Sequence, residues 1–422
     1  MKKEMSPFFH FNARFDPQEV MRRHAVHQLN SRMGFITNFL GVVIDPKFFP
    51  TILDGRAGEI EEIPIPANWH ADIAEWGAVL RAVELSDYTF TMVELGCGWG
   101  CWMNNSGVAA RRAGRKVSLL GIEGDEGHME FAKEALEANG FNSSEFTLYR
   151  GIAASDAGIA LFPKQNRAGM SWGSEPRFGV SEDEYKSALA SGDYDVLPMI
   201  PLSKVIDNYP KIDLLHIDIQ GGEADLISAC LSLLSEKVAY IVIGTHSRQI
   251  EGRLFDLLLQ AGWWLEIERP AILSLTGHPV VTVDGVQGWR NPRLLPVKDI
   301  IEATGKLQVL STLSEMKVNQ QIDLDVSIEN QSHYVWAGYG DRPVFLSYHW
   351  DDRNGNSVVF DGYRSPLTPS EILPGQTVST TMKVSAPPKV GCYRLIATLV
   401  QEHVCWFENI GFHPERMEIE IC

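Results

Sequence analysis

The stretch Val93-Glu94-Leu95-Gly96-Cys97-Gly98-Trp99-Gly100 decides the fold. An apolar strand runs into E-x-G-x-G-x-G, and a helical stretch follows. Glycines at such a turn let the backbone reverse sharply and come close to a ligand. A dinucleotide fingerprint would read G-x-G-x-x-G. Here the third glycine comes one residue early and Cys101 fills the expected slot. Next, Leu119-Leu120-Gly121-Ile122-Glu123 closes a second strand on an acid. An acid there can accept both ribose hydroxyls of an adenosine ligand.

Around this turn, residues 90 to about 290 alternate strand and helix. Apolar runs predict strands at 90–95, 117–122, 146–149, 212–219, 240–244 and 263–267. Helical stretches fall at 104–113, 125–139, 222–234 and 249–261. Such alternation predicts an α/β fold, a doubly wound parallel sheet with ligands outside the carboxyl ends of its strands. Residues 1–85 read as an N-terminal helical and loop extension. Within it, Ile73, Trp76, Val79, Leu80 and Val83 mark one helix face. From about 305 the period changes to two: Ile322, Leu324, Val326 and Ile328 alternate with polar residues, as do Val378, Thr380, Met382 and Val384. Residues 305–422 therefore read as an all-β sandwich of immunoglobulin-like size, and 86–300 as the α/β domain.

The chain has 422 residues, 37 Lys plus Arg against 54 Asp plus Glu, and a formal charge of −17. That balance argues against tracking nucleic-acid phosphates or docking on anionic lipid. No apolar run reaches membrane-spanning length, and 1–17 lacks the apolar core of a signal peptide. Six cysteines in a chain this long read as free thiols of a cytoplasmic protein. Cys97 and Cys101 lack the second pair that zinc would need.

The glycine turn with its two acids resembles the S-adenosylmethionine pocket of class I methyltransferases. Two later segments sharpen the likeness: Asp218-Ile219-Gln220-Gly221-Gly222-Glu223, and His246 just past Tyr240–Gly244. With His70-Ala71-Asp72, Glu75-Trp76 and Asp284-Gly285-Val286-Gln287-Gly288-Trp289, they resemble the FkbM family over about 68–296. Gln220 stands where that family usually has an acid, which weakens or moves any charge role of that position. The resemblance implies a Rossmann-like sheet, S-adenosylmethionine as cofactor, and methyl transfer to a hydroxyl, often of a surface polysaccharide, glycolipid or natural product. On this reading Glu94, Gly96, Cys97, Gly98, Gly100, Glu123, Ala153 and Asp218 hold the cofactor.

A hydroxyl must lose its proton as the new bond forms, so a base is needed. His246 is the first candidate, because histidine titrates near neutrality; Asp218 is its rival. His216 shares a strand face with Asp218, and a hydrogen bond between them is the simple expectation. Glu223 either caps its helix or touches the acceptor. A divalent metal (magnesium) is open but not favoured, since no Asp-Asp follows the fifth strand. The insertion 163–201, with Trp172 and Arg177 among glycines, is read as an acceptor lid, with a disordered connector as the alternative. Its Gly169-Met170-Ser171-Trp172-Gly173 lacks the strand and helix of a nucleophile elbow. The reading is thus an O-methyltransferase acting on a glycan hydroxyl, with no nucleic-acid partner and with homo-oligomers allowed. The aromatic-rich sandwich would bind glycan or join subunits. A natural-product O-methyltransferase and a non-catalytic glycan-binding assembly protein are the alternatives.

Overall fold

Strand β1, Thr89–Leu95, buries six of its seven residues. Alternate side chains serve opposite sides: Phe90 and Met92 join one apolar cluster, Val93 and Leu95 another. This is what a central strand covered on both faces requires. The structure is a computed structural model describing residues 11–340 and 342–422. Two units separate at Pro296/Val297.

In the first unit, β1 is followed by β2 (Lys116–Glu123), β3 (Phe146–Arg150), β4 (Leu214–Ile217), β5 (Tyr240–Thr245), β6 (Trp264–Arg269) and β7 (Gly285–Arg290). Across the sheet the order is β3-β2-β1-β4-β5-β7-β6. The strands from β3 to β5 pair in parallel. Antiparallel β7 is wedged between β5 and β6. Helices α1 (Ile73–Leu85), α2 (Cys101–Arg112), α3 (Glu126–Ala138), α4 (Glu223–Lys237) and α5 (Arg248–Gln260) connect or cover these strands. The six predicted strands and five predicted helices all form, with ends shifted by a few residues.

Three features depart from the sequence reading. Strand β7 falls on the Gly285–Trp289 motif, whose two glycines hide a strand that is buried along its whole length. Those glycines are steric necessities: a Cβ at Gly285 would sit 2.2 Å from Thr245 Oγ1, and one at Gly288 would sit 2.7 Å from Ile267. The N-terminal extension is not only helix and loop, because Asn12–Ala13 pairs antiparallel with β6. The 163–201 insertion is not a disordered connector. Strands Gly158–Pro163 and Tyr194–Pro201 pair antiparallel, and Ser181 and Glu184 form a capping box on helix Glu182–Ser191.

The second unit has two main sheets. One contains 305–309, 321–330 and 377–385; the other is centred on 344–352, 391–401 and 415–421. Leu324, Val326 and Ile328 from the first share a core with Leu346, Trp350 and Leu399 from the second. Among the described residues no helix is long and apolar enough to cross a membrane.

Candidate active site

The glycine turn leaves β1 at the carboxyl end of the sheet. Gly96, Gly98 and Gly100 have φ of 73°, 55° and 71°, the left-handed region that glycine adopts without penalty. Beneath the turn Glu94 is buried and accepts from Trp102 N at 3.2 Å and Met103 N at 2.9 Å. It satisfies amides that the first turn of α2 leaves without partners. Burial raises its pKa to about 7, although these hydrogen bonds pull the other way. Glu94 thus supports the turn from below. Glu123, at the tip of β2, accepts from Gly98 N and from Asp125 N, each at 2.8 Å. Burial raises its pKa too. A carboxylate has about four acceptor positions, so acceptor capacity remains for a ligand hydroxyl.

Gly96 has no room for a side chain: its Cβ would lie 2.0 Å from the carbonyl oxygen of Asp218. We expect Gly96→Ala to cost at least about 3 kcal/mol, through backbone strain and that clash. A lowered midpoint in urea unfolding is the readout; an unchanged midpoint would refute this packing.

After β4 the chain turns through Gln220, which has φ of 59°. Its Nε2 donates to Asp218 Oδ1 at 3.0 Å. An acid at 220 could not make that donation when ionised, so the amide here supports the Asp218 carboxylate. Glu223, fully buried at the first position of α4, accepts through Oε1 from Ile219 N at 3.2 Å and Gly221 N at 3.0 Å. His246 follows β5 directly. Its Nδ1 lies 2.9 Å from Glu223 Oε1 and its Nε2 lies 3.2 Å from Asp218 Oδ1. Burial works to lower the pKa of His246, but the two carboxylates prevail and raise it to about 10. Burial likewise works to raise that of Asp218, and His246 outweighs it, holding the carboxyl below its ordinary range. The ring is therefore an imidazolium between two carboxylates at neutral pH. Glu223 Oε2 is buried without a hydrogen-bond partner. Oxygens of Asp218 and Glu223 and one nitrogen of His246 lie within 4.8 Å of one another, so these three could hold a cation in place of the proton.

His216 does not bond to Asp218 as expected. Its Nε2 meets Glu75 Oε1 at 3.0 Å, and the same oxygen accepts from Trp102 Nε1 at 3.1 Å. Burial opposes the charge on each partner. The Glu75 pKa still moves up, and contact with Glu75 moves that of His216 up. Glu75 carried no signal beyond its place in the Glu75-Trp76 pair.

Trp172 reaches the glycine turn, where a Cβ on Gly98 would lie 2.8 Å from its ring. The ring is stacked between Phe49 and His128, with centroids 5.2 and 4.0 Å away. Phe49 and His128 had no sequence signal, since both come from segments that meet only in three dimensions. Arg177 is not brought to the Asp218 cluster; its guanidinium pairs with Glu184 at 3.0 Å on the insertion's own helix. Ala153 is half-buried in strand Ile152–Ala154. Cys97 is buried next to Gly121.

The strand order with its inserted antiparallel β7, and the acid-tipped strands around the glycine turn, define a Rossmann-like methyltransferase fold. No family model matches the chain. A protein of Jannaschia sp. (strain CCS1) described as "Putative methyltransferase" is 44% identical over 275 residues, which is 65% of this chain and 98% of that protein. The chain belongs to the family of that protein. Solved structures are more remote. The METTL16 MTase domain is 12% identical, covering 65% of this chain and 92% of its own, with a TM-score of 0.31. Methyltransferase FkbM from Methylobacillus flagellatus KT is 14% identical, covering 51% and 54%, with a TM-score of 0.30.

Proposed function

We propose that this protein is an S-adenosylmethionine-dependent O-methyltransferase acting on a hydroxyl of a sugar or glycan. The observation that carries the reading is the Asp218–His246–Glu223 cluster at the carboxyl rim. It joins an ionised, half-exposed carboxylate to a buried carboxylate oxygen that lacks a donor. The half-exposed Asp218 carboxylate can accept a hydrogen bond from an acceptor hydroxyl, and a site built on such a bond rejects analogues lacking it.

The residues present fit the cofactor. Glu123 keeps acceptor positions for ribose hydroxyls, and the backbone at Gly96 and Gly98 carries no side chain to obstruct approach. The acidic rim suits a ligand bearing an ammonium and a sulfonium. When bound, the cofactor supplies a methyl group on positively charged sulfur, which leaves as a neutral thioether. Glu123 and the glycine turn would hold it, and Trp172 covers the turn.

Asp218 accepts the hydroxyl proton of the acceptor as the new C–O bond forms. His246 is already protonated and does not take it. The ring instead fixes the Asp218 carboxylate and keeps it ionised, while Glu223 and its two backbone donors fix the ring. The half-exposed Asp218 then returns the proton to water.

The test combines binding and turnover. Calorimetry should show S-adenosylhomocysteine binding that weakens by about tenfold or more in Glu123→Ala, the loss of a pair of charge-assisted hydrogen bonds. Incubation of the wild type with S-adenosylmethionine and a glycan panel should release S-adenosylhomocysteine and add a methyl mass to one acceptor. Turnover with non-sugar phenols alone would overturn the acceptor class. A folded wild type that fails to bind S-adenosylhomocysteine would overturn the cofactor.

A further inference from the structure

Glu75 lies in the first turn of α1, behind the Asp72 cap whose carboxylate accepts from Ala74 N and Glu75 N. Three residues separate the end of α1 from β1, so α1 finishes at the amino end of the parallel strands. Its thirteen residues span about 20 Å, which places its first turn back at the carboxyl rim. There Glu75 is fixed from two sides. Its Oε1 accepts from Trp102 Nε1 at 3.1 Å and meets His216 Nε2 at 3.0 Å. Trp102 is the second residue after the glycine turn. His216 pairs with Glu94 of β1 and precedes Asp218 by two residues. Glu75 is thus held between the glycine turn and Asp218. Both bonds fall on one oxygen. Among the described residues no donor reaches Oε2, and 17% of the side chain is open.

We propose that Glu75 is the counter-ion of the α-ammonium group of S-adenosylmethionine, and so the residue that selects this cofactor over adenosyl thioethers without that group. The inference rests on the cofactor reading above. The aminocarboxypropyl arm of the cofactor carries one primary ammonium, and taking such a charge out of water requires a carboxylate beside it. The other acids of the site are engaged. Glu94 gives one oxygen to Trp102 N and the other to Met103 N. Glu123 stands at the tip of β2 and meets the ribose on the same reading. Glu223 holds the His246 ring. Asp218, clasped by that ring and by Gln220, stays available for the acceptor proton. Glu75 is the acid among them whose free oxygen adjoins the start of α2. Burial raises its pKa, His216 lowers it, and Asp72 and Asp218 push it up again. A cation at Oε2 offsets that burial, which a neutral hydroxyl does not. Trp102 and His216 already orient the carboxylate, so little order is lost when the ammonium arrives.

Calorimetry on the full chain with two ligands tests this: S-adenosylhomocysteine, and the same thioether with hydrogen in place of its amino group. The wild type should bind the first about tenfold or more tightly than the second, the weight of a charge-assisted contact. Glu75→Gln keeps the size and an acceptor oxygen for Trp102 and His216. It should weaken S-adenosylhomocysteine by about tenfold or more and change the affinity of the deaminated ligand by less than about twofold, so that the preference disappears. Equal weakening of both ligands would overturn the proposal, because a packing defect acts on both. So would a variant that keeps the preference, or one that binds both ligands normally and raises only the KM for the acceptor. If Glu75→Gln does not fold, Glu75→Asp withdraws the charge by one methylene and should narrow the preference; an undiminished preference would overturn the proposal. A wild type that binds both ligands equally would overturn it without any variant. A folded wild type that binds neither would overturn the cofactor reading, and this inference with it.

Discussion

Asp218→Asn should lower kcat by about 10²–10⁴-fold, the range associated with loss of a positioned proton acceptor. It should change S-adenosylhomocysteine affinity by less than about fivefold, because the amide keeps the size and an acceptor oxygen. The side chain is replaced by its isostere, so neither the turn at Gln220 nor the carbonyl under Gly96 has reason to move. What is lost is the negative charge and the place for the proton. The effect should be confined to the chemical step and read in single-turnover methyl transfer. A second signature separates this role from packing: with one anion gone, the pKa of His246 should fall from about 10. The shift is followed through its ring proton resonance. Equal loss of turnover and of cofactor binding would instead make Asp218 a cofactor-holding residue. Restored rates with Asp218→Glu at high pH would support the base role, since the longer acid supplies the same chemistry from a displaced position.

The sheet was legible because its signal is local and redundant. Apolar runs, the E-x-G-x-G-x-G turn and the helical periods all agree, and each strand needs only its own residues to be recognised. β7 escaped because a fully buried strand with glycines at 285 and 288 has neither alternation nor β-branched enrichment. Those glycines answer to side chains on β5 and β6, which a linear reading does not place alongside. The same limit governs the site. Glu94, Glu123, Asp218, Glu223 and His246 stand out because they sit at strand ends or helix starts. The protonation of His246 does not, because it depends on two carboxylates arriving at its two nitrogens from positions 218 and 223. Nor does the switch of His216 from Asp218 to Glu75, whose helix α1 lies 141 residues earlier. Trp172 was visible as an aromatic in a glycine-rich insertion, but Phe49 and His128, between which it stacks, were not.

Glu223→Gln should destabilise the first unit by about 3 kcal/mol at pH 7, as expected when one partner of a buried ion pair is removed. The wild type carries the reason in its pH dependence. His246 has a folded pKa near 10, against an ordinary value of 6.5. A group whose pKa is raised on folding stabilises fully below its unfolded value and loses that contribution as pH rises through the folded value. Wild-type stability should therefore decline between pH 6.5 and 10 by on the order of 3 kcal/mol, allowing for solvent around half-exposed Asp218. Asp218 works in the opposite direction: its lowered pKa contributes above its unfolded value and is lost only in acid. His216 shares the alkaline trend through Glu75, but Glu223 does not touch it, so its share should persist in the variant. Asp284 feels His246, Asp218 and Glu223 electrostatically and is itself raised, first by burial; its effect appears on the acid side. Glu223→Gln should thus flatten the decline between pH 7 and 10 without abolishing it, and move the His246 titration toward neutrality. Urea unfolding at half-unit pH steps, with proton spectra of the ring, reads both. A wild-type stability that is level from pH 7 to 10 would mean that His246 is neutral in the folded chain. The base role would then return from Asp218 to His246.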